Sequence, residues 1–210
     1  MKVNGEVSII PYYVVQEKDI VEYEGRVIQP EEDKVYLLMN KPKNTITTLD
    51  DERDRKTVMH ILKPEDKKLR IFPVGRLDRD TTGLLLLTND GELAAKLTHP
   101  RHKVKKIYHA VLDRDLDKED LFRIRHGLTL EDGPVVVDKI SYVNDARPNE
   151  IGLEIHLGRN RIVRRIFEHV GYKVVKLDRV YFAGLTKKDI PRGRYRTLKD
   201  KEVIMLKHFI

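Results

Sequence analysis

The chain has 210 residues, 40% hydrophobic and 36% charged, and its 41 lysines and arginines outnumber 34 acids to give a net charge of +7. It contains no cysteine, which excludes a disulfide framework, a thiolate nucleophile and a cysteine-ligated zinc site. The length provides for one large core or two small ones, and the basic balance points to an anionic partner, nucleic acid first, with a merely soluble basic protein as the plain alternative.

The eight histidines show no HxxxH or HExxH spacing, so no helical metal pair is expected. No apolar run approaches the roughly 20 residues that a membrane span needs, and Met1-Lys2-Val3-Asn4 leads into no apolar signal segment. The sequence is read as soluble, cytoplasmic and monomeric.

Residues 1–28 read as a small unit: VNGE (3–6) is a strand running into a turn, and DIVEYEGRVI (19–28) alternates like a half-buried strand. That is too little chain for a core of its own, and QPEED (29–33) reads as a linker. From 34 onward the signals are regular. KVYLLMNKP (34–42) is a strand closed by Pro42; TVMHIL (57–62) is a short helix with Thr57 as its N-cap. RIFPV (70–74) and GLLLLT (83–88) are strands, the second buried on both faces. Asn89 or Asp90 caps the helix GELAAKLTH, stopped by Pro100. KKIYHAVLD (105–113) is a strand. Asp117 and Asp120 flank the start of a helix ended by Gly127. GPVVVDKISYV (133–143) and EIGLEIHLG (150–158) are strands, RIVRRIFEHVG (161–171) a helix, YKVVKLDRVYFAG (172–184) a long strand, and Thr197 caps a last helix. Strands and helices alternate irregularly, which argues an α+β fold on a mixed, largely antiparallel sheet.

Three clusters stand out. In FPVGRLDRDTTGLLLLTNDG (72–91), Asp78 sits between Arg76 and Arg79 at the mouth of the leucine strand. Neighbouring positive charge favours the ionised carboxylate, Gly75 and Gly83 permit tight turns, and the strand fixes the group from behind. An Asx turn or a surface ion pair would use the same residues, and Asp80 is the rival carboxylate. HPRHKVKKIYH (99–109) carries four cationic residues and no acid, with Tyr108 just after Lys105 and Lys106. Cations that hold phosphates beside a ring that stacks on bases suit a nucleic-acid groove; a solvated strand with a core tyrosine is the plain reading. GRNRIVRR (158–165) brings Arg159, Arg161, Arg164 and Arg165. On a helix, Arg161, Arg164 and Arg165 share one face and Val163, Ile166 and Phe167 the other. Clustered guanidinium groups repel unless an anion meets them. Lys41, at a strand end, is ordinarily a solvent residue.

GRLDRDTTGLLLLTNDGELAAKLTHP resembles the catalytic motif of pseudouridine synthases, in particular the kind that act on ribosomal small-subunit (type A) or large-subunit (type B) RNA. NKP (40–42), KKIYH (105–109) and GRNRIVRRIFEHVGYKVVKLDRVYFAGL (158–185) follow in the family's order, so the resemblance spans about 34–208. It implies a two-part catalytic domain, taken as 33–210, built on one sheet with a central cleft. It implies isomerisation of a ribosomal RNA uridine, more in 23S than in 16S RNA, with no metal or organic cofactor. Carried over by position, Asp78 is the nucleophile, Tyr108 packs on the flipped base and helps remove the C5 proton, and Arg164, not Arg165, pairs with Asp78. Arg76, Arg79, Lys41, Lys105, Lys106, Arg159, Arg161 and Arg165 are the expected substrate contacts. The sequence departs from the family at Ile162, where relatives carry Gln, and at Leu157, where they often carry Glu. Residues 2–28 resemble the closing strands of an S4-type RNA-binding module; the two helices that precede them in such modules have no counterpart. The main alternative is an RNA-binding or ribosome-assembly factor without catalysis. A glycosidase would want a second acid near Asp78 and a less basic setting.

Overall fold

A computed structural model describes residues 1–10, 12–16, 18–28 and 33–208. The chain divides into a unit of residues 1–34 and a unit of residues 35–210. The expected linker at 29–33 lies, apart from Asp33, outside the described residues.

In the first unit, β1 (Lys2–Val3), β2 (Glu6–Val7), β3 (Val21–Tyr23) and β4 (Arg26–Ile28) form a four-stranded sheet in the order β2-β1-β3-β4. The stretch read as one strand over 19–28 is therefore a hairpin. Glu24 and Gly25 both take positive φ and turn the chain between β3 and β4, a geometry glycine supplies freely. Asp19 ties this unit together, accepting from Asn4 Nδ2, Tyr13 Oη and the Gln16 amide at 2.8–2.9 Å.

The second unit runs β5 (Tyr36–Lys41), a 3₁₀ turn (Val58–Ile61), α1 (Pro64–Lys67), β6 (Phe72–Pro73), β7 (Thr81–Thr88) and α2 (Gly91–Thr98). After a 3₁₀ turn at Pro100–His102 come β8 (Lys106–Leu112), α3 (Lys118–His126), β9 (Leu128–Leu130), β10 (Gly133–Val135), β11 (Lys139–Tyr142) and β12 (Glu150–Ile155). The last third holds α4 (Ile162–His169), β13 (Val174–Phe182), β14 (Leu185–Thr186), β15 (Tyr195–Thr197) and α5 (Asp200–His208). Asp90, not Asn89, caps α2 by accepting from the Leu93 amide at 3.1 Å. Thr197 caps nothing: it ends β15 against β5, and α5 starts three residues later.

Among the described residues these strands make a nine-stranded sheet, β11-β12-β8-β13-β7-β5-β15 with β14 on β13 and β6 on β7, besides a β9–β10 ribbon. The fold is α+β on a mixed sheet in two halves. Each half is antiparallel, and they meet where β13 and β7 run parallel through Leu177–Thr81, Asp178–Thr82 and Arg179–Gly83. The pairing joins the first residues of β7 to the middle of β13, so the loop that precedes β7 and the residues around Arg179 come together at one spot.

Leu84, Leu85, Leu86 and Leu87 are all 0% exposed, as the unbroken apolar run predicts. Leu85 and Leu87 join one core with α3, α4 and the outer strands; Leu84 and Leu86 join another with α2 and α5. Each buried leucine is worth about 1.5–3 kcal/mol relative to exposure, so β7 is a rigid mount for the loop that precedes it.

Candidate active site

The loop 74–80 enters β7 from one end of the sheet. Gly75 has φ +70, a conformation that only glycine adopts without strain. Leu77 is buried and bracketed by one hydroxyl: Thr47 Oγ1 donates to its carbonyl at 2.8 Å and accepts from its amide at 3.3 Å. The Thr81 amide then closes a turn on the Asp78 carbonyl at 3.1 Å. Asp78 is thus presented by a fixed backbone, with its carboxylate 31% exposed.

The strongest support comes from beneath. Lys41, expected to touch substrate, is 0% exposed. Its ammonium donates to the carbonyls of Asp78 (3.0 Å), Arg79 (3.4 Å), Thr81 (2.8 Å) and Pro42 (3.2 Å). It is a clamp under the Asp78 loop and has no surface to offer RNA. The reason is register: Lys41 stands opposite Gly83 on β7, so its side chain has room to reach under the loop. Burial pulls its pKa down to about 8, while the charges of Asp78 and Asp80 hold it up.

We expect Lys41→Met to cost roughly 2–4 kcal/mol in urea unfolding, because several carbonyls lose their donor in a dry site. Unfolded lysine ionises near 10.4. The native state therefore releases this proton first between about pH 8 and roughly 10.4, and the residue's contribution to stability rises with pH across that window. The stability–pH curve of Lys41→Met should lack that rise.

The cleft beside the loop has a volume of about 420 Å³ and is lined by Asp78, Tyr108, Lys106, Arg159, Arg161 and Arg179 among others. Tyr108 is buried in β8, between Leu153 and Arg179 in the sheet register. The cation paired with the Asp78 carboxylate is Arg161, at 3.7 Å from Oδ2. Arg76 and Arg79, the sequence neighbours expected to flank the carboxylate, are both exposed, and Arg76 lines the rim of the cleft.

The arginine helix departs from its predicted pattern. Arg161 is not helical but takes φ 47 as the N-cap of α4. Arg164, assigned to the polar face, is only 6% exposed. It donates from Nη1 to the Val174 carbonyl at 2.8 Å and sits 4.0 Å from Asp80, not Asp78. With five of its eight residues buried, α4 sinks deeper than a two-sided helix allows, and Arg164, one position on from Val163, goes down with the apolar face. The expected Arg164–Asp78 pair is thus absent from this geometry. Arg165 makes a bidentate pair with Asp132 at 2.5 and 2.9 Å, and Arg159 reaches the same carboxylate at 3.5 Å. This acid, in the β9–β10 turn, is distant in sequence, which is why the arginine run reads as unpartnered. Lys105 pairs with Glu154 at 2.8 Å. Lys106 points its ammonium at the Val104 and His156 carbonyls, 3.0 and 2.9 Å away, and its pKa falls to about 8 through burial and then through Arg179. The two departures from the family pattern are apolar linings here: Ile162 is buried and both Ile162 and Leu157 border the cleft.

Arg179 was not singled out by the sequence. It is 3% exposed, donates from Nε to the Leu84 carbonyl at 2.8 Å, and lies over the Phe182 ring at 4.6 Å. A lone arginine within a long strand gives no pattern by which to find it. Below the same strands, Asp178 holds Thr82, Arg192 and Lys187, and these donors keep its carboxyl at about 2 despite burial.

The description of the matching family model is RNA pseudouridylate synthase, and the match covers residues 35–169. Ribosomal large subunit pseudouridine synthase B of Bacillus subtilis (strain 168) is 40% identical over 210 residues, covering 99% of this chain and 85% of its own. An uncharacterized RNA pseudouridine synthase of Aquifex aeolicus (strain VF5) is also 40% identical, over 98% of this chain and 83% of its own. A pseudouridylate synthase crystal structure superposes with a TM-score of 0.77 at 28% identity, over 98% of this chain and 87% of that one.

Proposed function

This chain belongs to the RNA pseudouridylate synthase family, and from that premise we propose that it isomerises one uridine of ribosomal RNA, in 23S rather than 16S RNA, with Asp78 as the nucleophile. The observation that carries the reading is the Asp78 carboxylate, held on a clamped loop at the rim of a cleft that Tyr108 and four arginines also line. The large-subunit assignment follows the large-subunit synthase of Bacillus subtilis, to which the chain is 40% identical.

A stacked base is out of reach of this carboxylate, so the uridine is flipped into the cleft. Tyr108 packs against the uracil. Breaking C1′–N1, turning the uracil and joining C1′ to C5 then needs a base to take the C5 proton, a task within reach of Tyr108. No metal or organic cofactor enters this reaction. Asp78 attacks C1′ or C6, or removes a C2′ proton. Arg161, at 3.7 Å, is the cation that orients the carboxylate, and Arg164 beside Asp80 supports the loop's far side.

The exposed arginines, Arg76 and Arg79, hold RNA phosphates. Replacing either by Ala should flatten the plot of log affinity against log salt by roughly 0.7–0.9. Arg165→Ala should leave the slope nearly unchanged, since Asp132 already neutralises that guanidinium. Filter binding from low to high salt measures both. Residues 1–28 serve as an S4-like RNA-binding segment, a reading supported by their own small sheet. The chain acts as a monomer in the cytoplasm, on free ribosomal RNA or a pre-ribosomal particle.

The test is to map pseudouridines in ribosomal RNA from cells with and without the gene, and then to modify the mapped transcript with the pure protein. Loss of one 23S pseudouridine supports the reading. Loss at a 16S position corrects the subunit, and an unchanged map in both RNAs overturns it.

A further inference from the structure

Arg179 is fixed at one end and free at the other. Its Nε is spent on the Leu84 carbonyl and its face on Phe182, while Nη2 is buried with no acceptor among the described residues. A buried, unsatisfied donor on an ionised group is costly, and is kept where something else supplies the acceptor. Arg179 lines the cleft that holds Asp78 and Tyr108, and it stands directly across the sheet from Tyr108. Lys106, half-buried, lines the same cleft, so two cations border one small space in which Asp78 is the only acid among the lining residues.

Such an arrangement awaits negative charge, and the reaction generates it. When C1′–N1 breaks, its electron pair stays on the uracil and spreads over the two carbonyl oxygens. If Asp78 attacks C1′, an ester forms; if it removes a C2′ proton, a neutral carboxyl and a glycal form. In both routes one negative charge passes from the carboxylate to the detached base.

We propose that Arg179 is a catalytic residue whose guanidinium donates to a carbonyl oxygen of the flipped uracil and stabilises the uracil anion as the glycosidic bond breaks, with Lys106 adding positive charge from behind. The assignment rests on the reading of the cleft as the uridine site. Donors set in advance where charge develops act most strongly in a water-poor site, and removing one typically costs about 10²–10³ in rate.

The test uses a transcript spanning the uridine that the wild-type protein modifies, made with uridine or with 5-fluorouridine. Fluorine withdraws charge and makes the uracil a better leaving group, so it lessens the need for Arg179. With enzyme in excess, Arg179→Gln should cut the rate of N-glycosidic cleavage by about 100-fold or more on uridine. On 5-fluorouridine the loss should shrink at least several-fold, with RNA affinity unchanged on both. Arg179→Lys, which keeps the cation but not its reach, should fall between, with the same narrowing. Should the Gln variant fail to fold, judged by circular dichroism and thermal unfolding, the Lys variant decides on the same criterion. An equal loss on both substrates, a loss confined to RNA affinity, or full activity overturns the proposal. Wild-type protein that leaves every uridine of ribosomal RNA intact overturns the function itself, a result visible before any variant is made, and the role of Arg179 falls with it.

Discussion

Asp78→Asn should abolish pseudouridine formation, by at least about 10⁴-fold in kcat, the scale on which removal of a nucleophile acts. The substitution keeps the shape and removes the charge. Folding should be almost untouched, because the loop is built from backbone: Lys41 holds carbonyls of residues 78, 79 and 81, and Thr47 holds both polar groups of Leu77. The side chain itself contributes one partly exposed ion pair with Arg161 at 3.7 Å, worth about 1 kcal/mol or less. RNA affinity should hold within about threefold or improve slightly, since a negative charge leaves a basic cleft. Single-turnover assays on the mapped transcript, with parallel binding and melting curves, check all three. Measurable product from a pure Asp78→Asn protein would remove Asp78 from the chemistry.

Gly83→Ala should have the largest effect on folding. At Gly83 an added Cβ would lie 2.2 Å from the Arg179 carbonyl oxygen and 2.6 Å from its amide nitrogen, and φ is +107. Neither neighbour is a flexible side-chain end. The parallel strands would have to separate, and the residue would sit in a backbone region foreign to L side chains. The combined cost should be about 4 kcal/mol or more, in the range of the severest single substitutions. Denaturant unfolding measures it, and soluble protein with an unchanged midpoint would refute the close approach. The same change at Gly91 meets nothing within 4 Å at an ordinary φ and is the matched control.

The elements that the sequence revealed are those whose cause is local. Leu84 to Leu87 announce a strand buried on both faces because no polar residue interrupts them, and the Asp78 motif is contiguous, so resemblance finds it whole. What stayed hidden depends on chain-distant contacts. Lys41 looks like a solvent lysine until the carbonyl of Asp78, 37 residues away, is placed over it. Arg179 takes its meaning from Leu84, 95 residues away, and Arg165 from Asp132, 33 residues away. Arg164 was misplaced for a different reason: helical periodicity ranks positions by angle but does not say how deep a helix sinks, and α4 buries the position at the edge of its apolar stripe.

The parallel seam between β13 and β7 also dictates an order of events as the chain is made. Thr82 and Asp178, which meet across it, are 96 residues apart. Synthesis proceeds at about 5–20 residues per second, so β7 emerges several seconds before its partner exists. During that interval β5 protects one edge of β7 and β6 covers the far end of the other at Leu87 and Thr88, while Thr81 to Gly83 lack the partner strand that later pairs with them. Long-range parallel pairing is slow for the same entropic reason. A chain ending at Val170 would hold Asp78, Tyr108 and the arginine helix, yet lack both the strand that closes this edge and the guanidinium of Arg179. Such a fragment would leave the first residues of β7 unpaired, and catalytic competence would arrive all at once, with the last fifth of the molecule.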